Sequence, residues 1–396
     1  MSQFAYLFER FPAFSQTFCY REVAELDRQG LRPALFSIRK PENEPAQDWD
    51  KRILARVHYL PAEEELTNEV RAAIKKKKLS ADVVAAIEDW GKRTDFLRLY
   101  QAVYVGLRLR DIGARHVHAH FAGLAARTAF WIDKFFDIHF SFTAHANDIF
   151  APRQFEIGLD RLVDRARAIV TETDYAANFL KERFPARAER VWRIYNGLDL
   201  DGFKRAQFSA SPPVILTIGR LIAKKGFADL IRACRVLKEQ GRSFRCEIIG
   251  EGPLAEQLRH QIEAAELSDE VKLLGPKSQG EIADHLAAAT VFVLPSVIDS
   301  EGGMDNLPTV IMEAMTSGLP VISTPIGGIP EMIVENKTGL LVPPGDSDAL
   351  AGAIEKVIVD LPLARQLGEQ GRKRAEELFA IERNARALVR LIEEAM

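Results

Sequence analysis

TVFVLPSVIDSEGGMDNLPTVIMEAMTSGLPVIST, residues 290–324, reads as a strand, a helix and a second strand joined by one polar loop. Val291 to Leu294 form a short apolar run that ends at Pro295, the pattern of a strand buried on both faces. The loop is built of Asp, Ser, Glu and Gly. Pro308 suits a first helical position, where its missing N–H had no intrahelical partner to lose. Gly318 suits the left-handed residue that closes the helix, and PVIST (320–324) follows as the next strand. Two acids bracket the helix start, Asp305 in the loop and Glu313 in the helix. Their separation corresponds to roughly 12 Å of helix. That is too far to share one proton and suited to holding hydroxyls at opposite ends of one long ligand.

The same grammar continues outward. VILTIG (214–219), FRCEIIG (244–250), VKLLG (271–275) and TGLLV (338–342) read as strands, with helices over 227–239, from Pro253, near 280–289 and from Asp346. Strands alternating with helices predict a parallel, doubly wound sheet, in which ligands bind beyond the carboxyl ends of the strands. The first half repeats the pattern with longer insertions. AYLFER (5–10), ALFSIR (34–39), HVHAHF (116–121), FSFTAH (140–145), AIVTE (168–172) and RVWRIY (190–195) read as strands, and a helix runs from about Ser15 to Gly30. Lys40 to about Leu99 is charged and less regular, and 201–213 reads as a linker. The division is 1–205, 206–375 and a C-terminal helix, 376–396, positioned to pack back on the first domain.

At 396 residues the chain has room for two domains. Its 47% hydrophobic and 28% charged residues are those of a globular protein, and a net charge of −3 gives no reason to bind nucleic acid. No apolar run reaches transmembrane length. MSQFAYLFERFPAF lacks the basic segment and apolar core of a signal peptide. Three unclustered cysteines, Cys19, Cys234 and Cys246, fit a reducing cytoplasm.

Several residues have the chemistry of a site. In TIGRLIAKKGFADLI (217–231), Arg220 and Lys225 sit between a strand and a helix. There they form either a diphosphate site, helped by the helix end, or a pair of solvated surface cations. No Gly-Lys-Ser/Thr follows, so the segment is not a P-loop. IIGEGPL (248–254) places Gly250 and Gly252 after a strand; a tight strand-to-helix turn is the simpler reading, with a nucleotide base edge beside it as the functional one. His116, His118 and His120 share one strand face but lack a further metal ligand. His145 lies just past a strand end, with Asp148 placed to orient it or meet an acceptor. Lys75–Lys78 is a solvated helix face or a patch for anionic lipid. DLD (199–201) and DSD (346–348) read as turn or helix caps rather than metal acids.

Taken together, TIGRLIAKKGF, IIGEGPL, LLGP, YNGLDLDGF and DNLPTVIMEAMTSGLPVIST resemble the family-4 glycosyltransferases, retaining enzymes of the GT-B fold. ERFPAFSQTF, HAHFAGLAA and FSFTAHANDIF are similar to bacterial members of the exopolysaccharide, colanic-acid type. The resemblance covers nearly the whole chain. It implies an α/β architecture of two Rossmann-like domains facing across a cleft. It implies transfer of a sugar, with retention, from a UDP- or GDP-sugar to a hydroxyl of a glycan or lipid-linked oligosaccharide. No cofactor and no metal are implied, and the enzyme is expected in the cytoplasm, at times against an anionic membrane surface. His145, Asp305, Glu313, Lys225 and Arg220 are the implied catalytic set. Gly250, Gly252, Asn306, Leu307 and Thr309 join Arg220, Lys225 and Glu313 around the donor, with Asp305 at the sugar and Glu313 at the ribose. Asp305 replaces the family's Glu in its E-x7-E segment, with Glu301 in the same loop. Ser15, Gln16 and Thr17 replace an N-terminal glycine pair with hydroxyls and amides. A sugar-nucleotide epimerase of the same fold, a non-catalytic sugar-nucleotide-binding partner subunit, and an NAD enzyme resting on the G-x-G turn alone are the alternatives.

Overall fold

The computed structural model describes residues 4–396 apart from Ala46, Gly91, Lys92, Thr94, Pro152 and Arg153. Two parallel sheets organise the chain. The first contains β1 (Phe4–Arg10), β2 (Ala34–Arg39), β3 (Val57–Tyr59), β4 (His116–His120), β5 (His139–Ala144), β6 (Ala168–Thr171) and β7 (Val191–Arg193), in the order β3-β2-β1-β4-β5-β6-β7. The second contains β8 (Val214–Ile218), β9 (Arg245–Ile249), β10 (Val271–Gly275), β11 (Val291–Leu294), β12 (Val321–Ser323) and β13 (Gly339–Leu341), in the order β10-β9-β8-β11-β12-β13. The two doubly wound domains expected from the alternation are therefore present. In each sheet the strand order reverses once, at β1/β4 and at β8/β11, and a crevice opens at such a switch point. β8 and β11 pair directly, Val291 beside Ile215, so the loops that follow them rise side by side.

The strands bury both faces, as parallel strands covered by helices do. Every residue of β8 and β11 is buried. Four helices matter for the site and its frame: α1 (Thr17–Arg28), α2 (Phe227–Glu239), α3 (Thr309–Thr316) and α4 (Ile381–Ala395). α3 buries Ile311 through Thr316, so it is covered on nearly all sides, which makes the acid at Glu313 conspicuous. Pro308 is its N-cap residue rather than its first helical residue, and Gly318 closes it at φ +74°.

α4 buries Ile381, Ala385, Leu388, Val389, Leu391 and Ile392. The chain returns to the first domain through Leu198, whose N–H bonds to Phe379 O at 2.7 Å. α4 then packs on α1, β5 and β6, joining Tyr6, Val23, Leu26 and Val170 in one core. The stretch from Lys40 to Leu99 is more regular than its composition suggests. It supplies β3 and helices over Glu63–Lys75, Ala81–Trp90 and from Leu97. The run Lys75–Lys78 is exposed at the end of the first of these, where cations complement the helix dipole.

Candidate functional site

The second-domain half of the site stands on the loops after β8 and β11. Asp305 is buried, and both its oxygens accept from Lys225 Nζ, at 2.8 and 3.0 Å. Ser296 Oγ donates to it at 2.7 Å, and Lys224 Nζ stands 3.8 Å away. Burial pushes the Asp305 carboxyl up, but the charges of Lys225 and Lys224 and these hydrogen bonds outweigh it and hold the acid below its ordinary range. Burial lowers the Lys224 ammonium. Lys225 and Asp305, read from the sequence as belonging to two subsites, thus form one ion pair. Arg220 is exposed and makes no ion pair among the described residues.

Gly250 and Gly252 hold the neighbouring turn at φ +140° and +158°. A Cβ on Gly250 would lie 1.9 Å from Gly219 O, and one on Gly252 2.6 Å from Leu221 O. The glycines are needed so that this turn can press on the backbone of the Arg220 loop. Asp199 and Asp346 cap helical turns by accepting from the amides of Asp201 and Ala349, as their turn positions suggest.

The first-domain half gathers at the carboxyl ends of β4, β5 and β6. His145 is the N-cap residue of the helix Ala146–Phe150, and its N–H donates to Asp148 at 3.0 Å. Its ring is buried with both nitrogens engaged, Nδ1 with Glu172 at 2.9 Å and Nε2 with His120 Nδ1 at 3.4 Å. His120 Nε2 lies 3.2 Å from Glu22, which also accepts from Tyr6 Oη. Burial raises Glu172, but the charge of His145 and hydrogen bonds from His145 and Asn196 lower it by more. His116 and His118 are occupied by the hydroxyls of Ser141 and Thr143. Ser15 lies in a short helical turn before α1 and Thr17 opens α1; Gln16, between them, lines the cleft.

The halves touch. Thr173 Oγ1 donates to Asn306 Oδ1 at 2.6 Å, and Lys224 Nζ reaches Asn147 Oδ1 at 3.3 Å. Glu331 accepts from the amides of Asp174 and Tyr175 and from Tyr195 Oη. Arg21 of α1 donates to Glu313 of α3 at 2.6 Å. Leu307 is buried and Thr309 opens α3 beside them. A cleft of about 630 Å³ remains, lined by Gln16, Asn147 and Asp148 from one side and Asp299, Glu301 and Gly303 from the other. The arrangement sets the Lys224–Lys225–Asp305 cluster and the Arg21–Glu313 pair at the seam between the two domains.

Sequence reasoning missed Arg21, Lys224, Glu172, Thr173 and Glu331. Glu172 carried a signal, since it ends AIVTE at the ligand-binding edge of its sheet. Lys224 adjoined a residue already singled out. Arg21, in the interior of α1, carried none.

Comparison with known proteins gives a consistent result. Residues 15–201 match the model described as Glycosyltransferase Family 4, and residues 202–374 match Glycosyl transferases group 1. Over 143 residues the chain is 47% identical to the amylovoran biosynthesis glycosyltransferase AmsK of Erwinia amylovora; the match covers 36% of this chain and 35% of that relative. The alignment thus spans about a third of AmsK's length. A glycosyltransferase from Rickettsia africae has a similar fold, with a TM-score of 0.74 at 17% identity over 100% of this chain and 98% of that one. So does Alr3699/HepE of Anabaena, crystallised with UDP and glucose, with a TM-score of 0.72 at 18% identity over 99% and 100% of the two chains.

Proposed function

The chain belongs to the glycosyltransferases of family 4 and group 1, of GT-B fold, whose two models run end to end over residues 15–374, and from that premise we propose that it transfers a sugar, with retention, from a nucleoside-diphosphate sugar to an acceptor hydroxyl. The observation that carries the proposal is the convergence at the β8/β11 switch point. The Lys224–Lys225–Asp305 cluster, the exposed Arg220 and the start of α3 meet there, with Asn147 and Thr173 reaching them from the first domain. The bond between the anomeric carbon and the diphosphate oxygen breaks, and Arg220 with the lysine pair stabilises the charge that develops on the leaving group. Asp305, Asn306 and Leu307 hold the sugar, and Glu313 holds the ribose. His145 meets the sugar by exchanging its 3.4 Å contact with His120, which lies at the outer limit of a hydrogen bond. The donor phosphate takes the acceptor's proton, and no protein nucleophile is assigned.

The UDP in HepE and the biosynthetic role in AmsK's name support a UDP- or GDP-sugar donor and a glycan or lipid-linked acceptor in exopolysaccharide synthesis. The exposed Lys75–Lys78 run is a candidate contact with anionic membrane. No helix among the described residues is long and apolar enough to cross a membrane.

A thermal-shift titration with UDP, GDP, ADP, CMP and NAD, without added metal, tests the reading. A nucleoside diphosphate that binds the folded state raises the melting temperature, and Lys225→Ala and Glu313→Ala are expected to abolish the shift. A shift with NAD alone would sink the proposal. In the sugar screen that follows, released diphosphate marks transfer, whereas an isomerised sugar nucleotide without diphosphate marks the epimerase.

A further inference from the structure

Arg21 projects from the second turn of α1, and its Nη2 donates to Glu313 Oε1 at 2.6 Å across 292 residues of sequence. The side chains are 10% and 5% exposed. A guanidinium carries five N–H donors in a rigid fork and commonly meets a carboxylate through two of them. Here only one nitrogen is used. Nη1 is buried without a hydrogen-bond partner, while Glu313 Oε2 makes no hydrogen bond among the described residues. An unpaired buried donor on a charged group is costly. The cost disappears when a ligand supplies an oxygen between the two domains.

We propose that Arg21 is a ligand-binding residue of the nucleotide site, supplied by the first domain. This rests on the reading above that Glu313 holds the ribose. A hydroxyl donates one hydrogen bond and accepts others. A ribose hydroxyl therefore donates to Glu313 Oε2 and accepts from Arg21 Nη1–H, while Nη2 fixes the carboxylate. The ribose is clamped by an acceptor from one domain and a donor from the other. Donor binding accordingly depends on the closed arrangement of the domains, not on the second domain alone.

Calorimetric titration of the full chain with UDP and GDP, and with their 2′-deoxy and 3′-deoxy forms, tests this. The wild type is expected to discriminate against at least one deoxy form. Arg21→Ala should weaken the better ribonucleotide about ten-fold or more and reduce that discrimination, leaving only the part carried by Glu313. Arg21→Lys, which keeps the charge but loses the fork, should fall between. Arg21→Ala together with Glu313→Ala should be no weaker than the worse single variant, since the two groups act on one hydroxyl. Wild-type affinity in Arg21→Ala, with only a lowered melting temperature, would reduce the ion pair to a structural tie and overturn the proposal. Equal affinity of the wild type for ribo and deoxy forms overturns it without any variant. If the wild type binds no nucleoside diphosphate, the donor reading of the site falls first, and this inference with it.

Discussion

Asp305 lies one methylene closer to its backbone than a glutamate would, and its carboxylate accepts from Lys225 and Ser296. Asp305→Asn would leave two poorly solvated ammonium groups without their counter-ion, a loss of about 3 kcal/mol or more in urea unfolding at neutral pH. A change below about 1 kcal/mol would mean that water already screens the pair. The buried histidines make a separate prediction. Burial, aided by the charges of His139 and Arg167, lowers His116 from its ordinary 6.5 to about 3, and burial drives His118 well down. Their folded forms bind protons less readily than the unfolded chain. Their contribution is therefore whole above pH 6.5 and shrinks as pH falls toward 3, by about 1.4 kcal/mol per unit for His116. His116→Asn should flatten the fall in unfolding free energy between pH 6.5 and 4.5; an unchanged slope would show that the histidine does not govern it. At this scale the sequence was legible for residues marked by position. His145, Asp305 and Lys225 all follow strand ends. It was silent on partnership, because nothing local to Arg21 or Lys224 announces a carboxylate or amide far along the chain.

Elements were legible where periodicity was strong and ends were marked. The helix over 227–239 and the strand over 271–275 have their expected bounds. β3 was missed because a three-residue edge strand is too short to show alternation. The helix over Ala81–Trp90 was missed, and that over Glu63–Lys75 was read only through the lysine run at its end, because their exposed faces are charged enough to pass for loop. Ends were less certain: Pro253 precedes its helix, which begins at Ala255, just as Pro308 precedes α3. α4 carries the element-scale prediction. Ile392 is fully buried against α1 and the first sheet, so Ile392→Ala should cost about 2–5 kcal/mol. The loss should appear in the first domain, read by hydrogen exchange at the β1 and β6 amides. Protection lost in β8 and β11 instead would place α4's contribution elsewhere.

At the scale of the whole molecule, the two parallel sheets follow from the alternation of strands and helices, but their strand orders and the seam between them do not. Among the described residues, polar ties cross it through Asn306, Glu331, Lys224 and Glu313. Each joins residues of different domains far apart in sequence, and such contacts have no period to read. Glu331 caps the helix that opens at Asp174 and also accepts from Tyr195 Oη. Glu331→Ala should leave the two cores intact but shift the domains toward an open form, seen as a larger radius of gyration in small-angle scattering. An unchanged radius would assign closure to the remaining ties. The return of α4 also sets an order of events during synthesis. The surface formed by Tyr6, Val23, Leu26 and Val170 emerges from the ribosome early, and the residues that cover it, 381–395, follow only after the entire second domain. The nascent first domain must carry an uncovered apolar face through that interval. The moment of greatest exposure to chaperones and to misassembly thus falls while the second domain is being made, and a fragment cut at the linker would keep that face bare indefinitely.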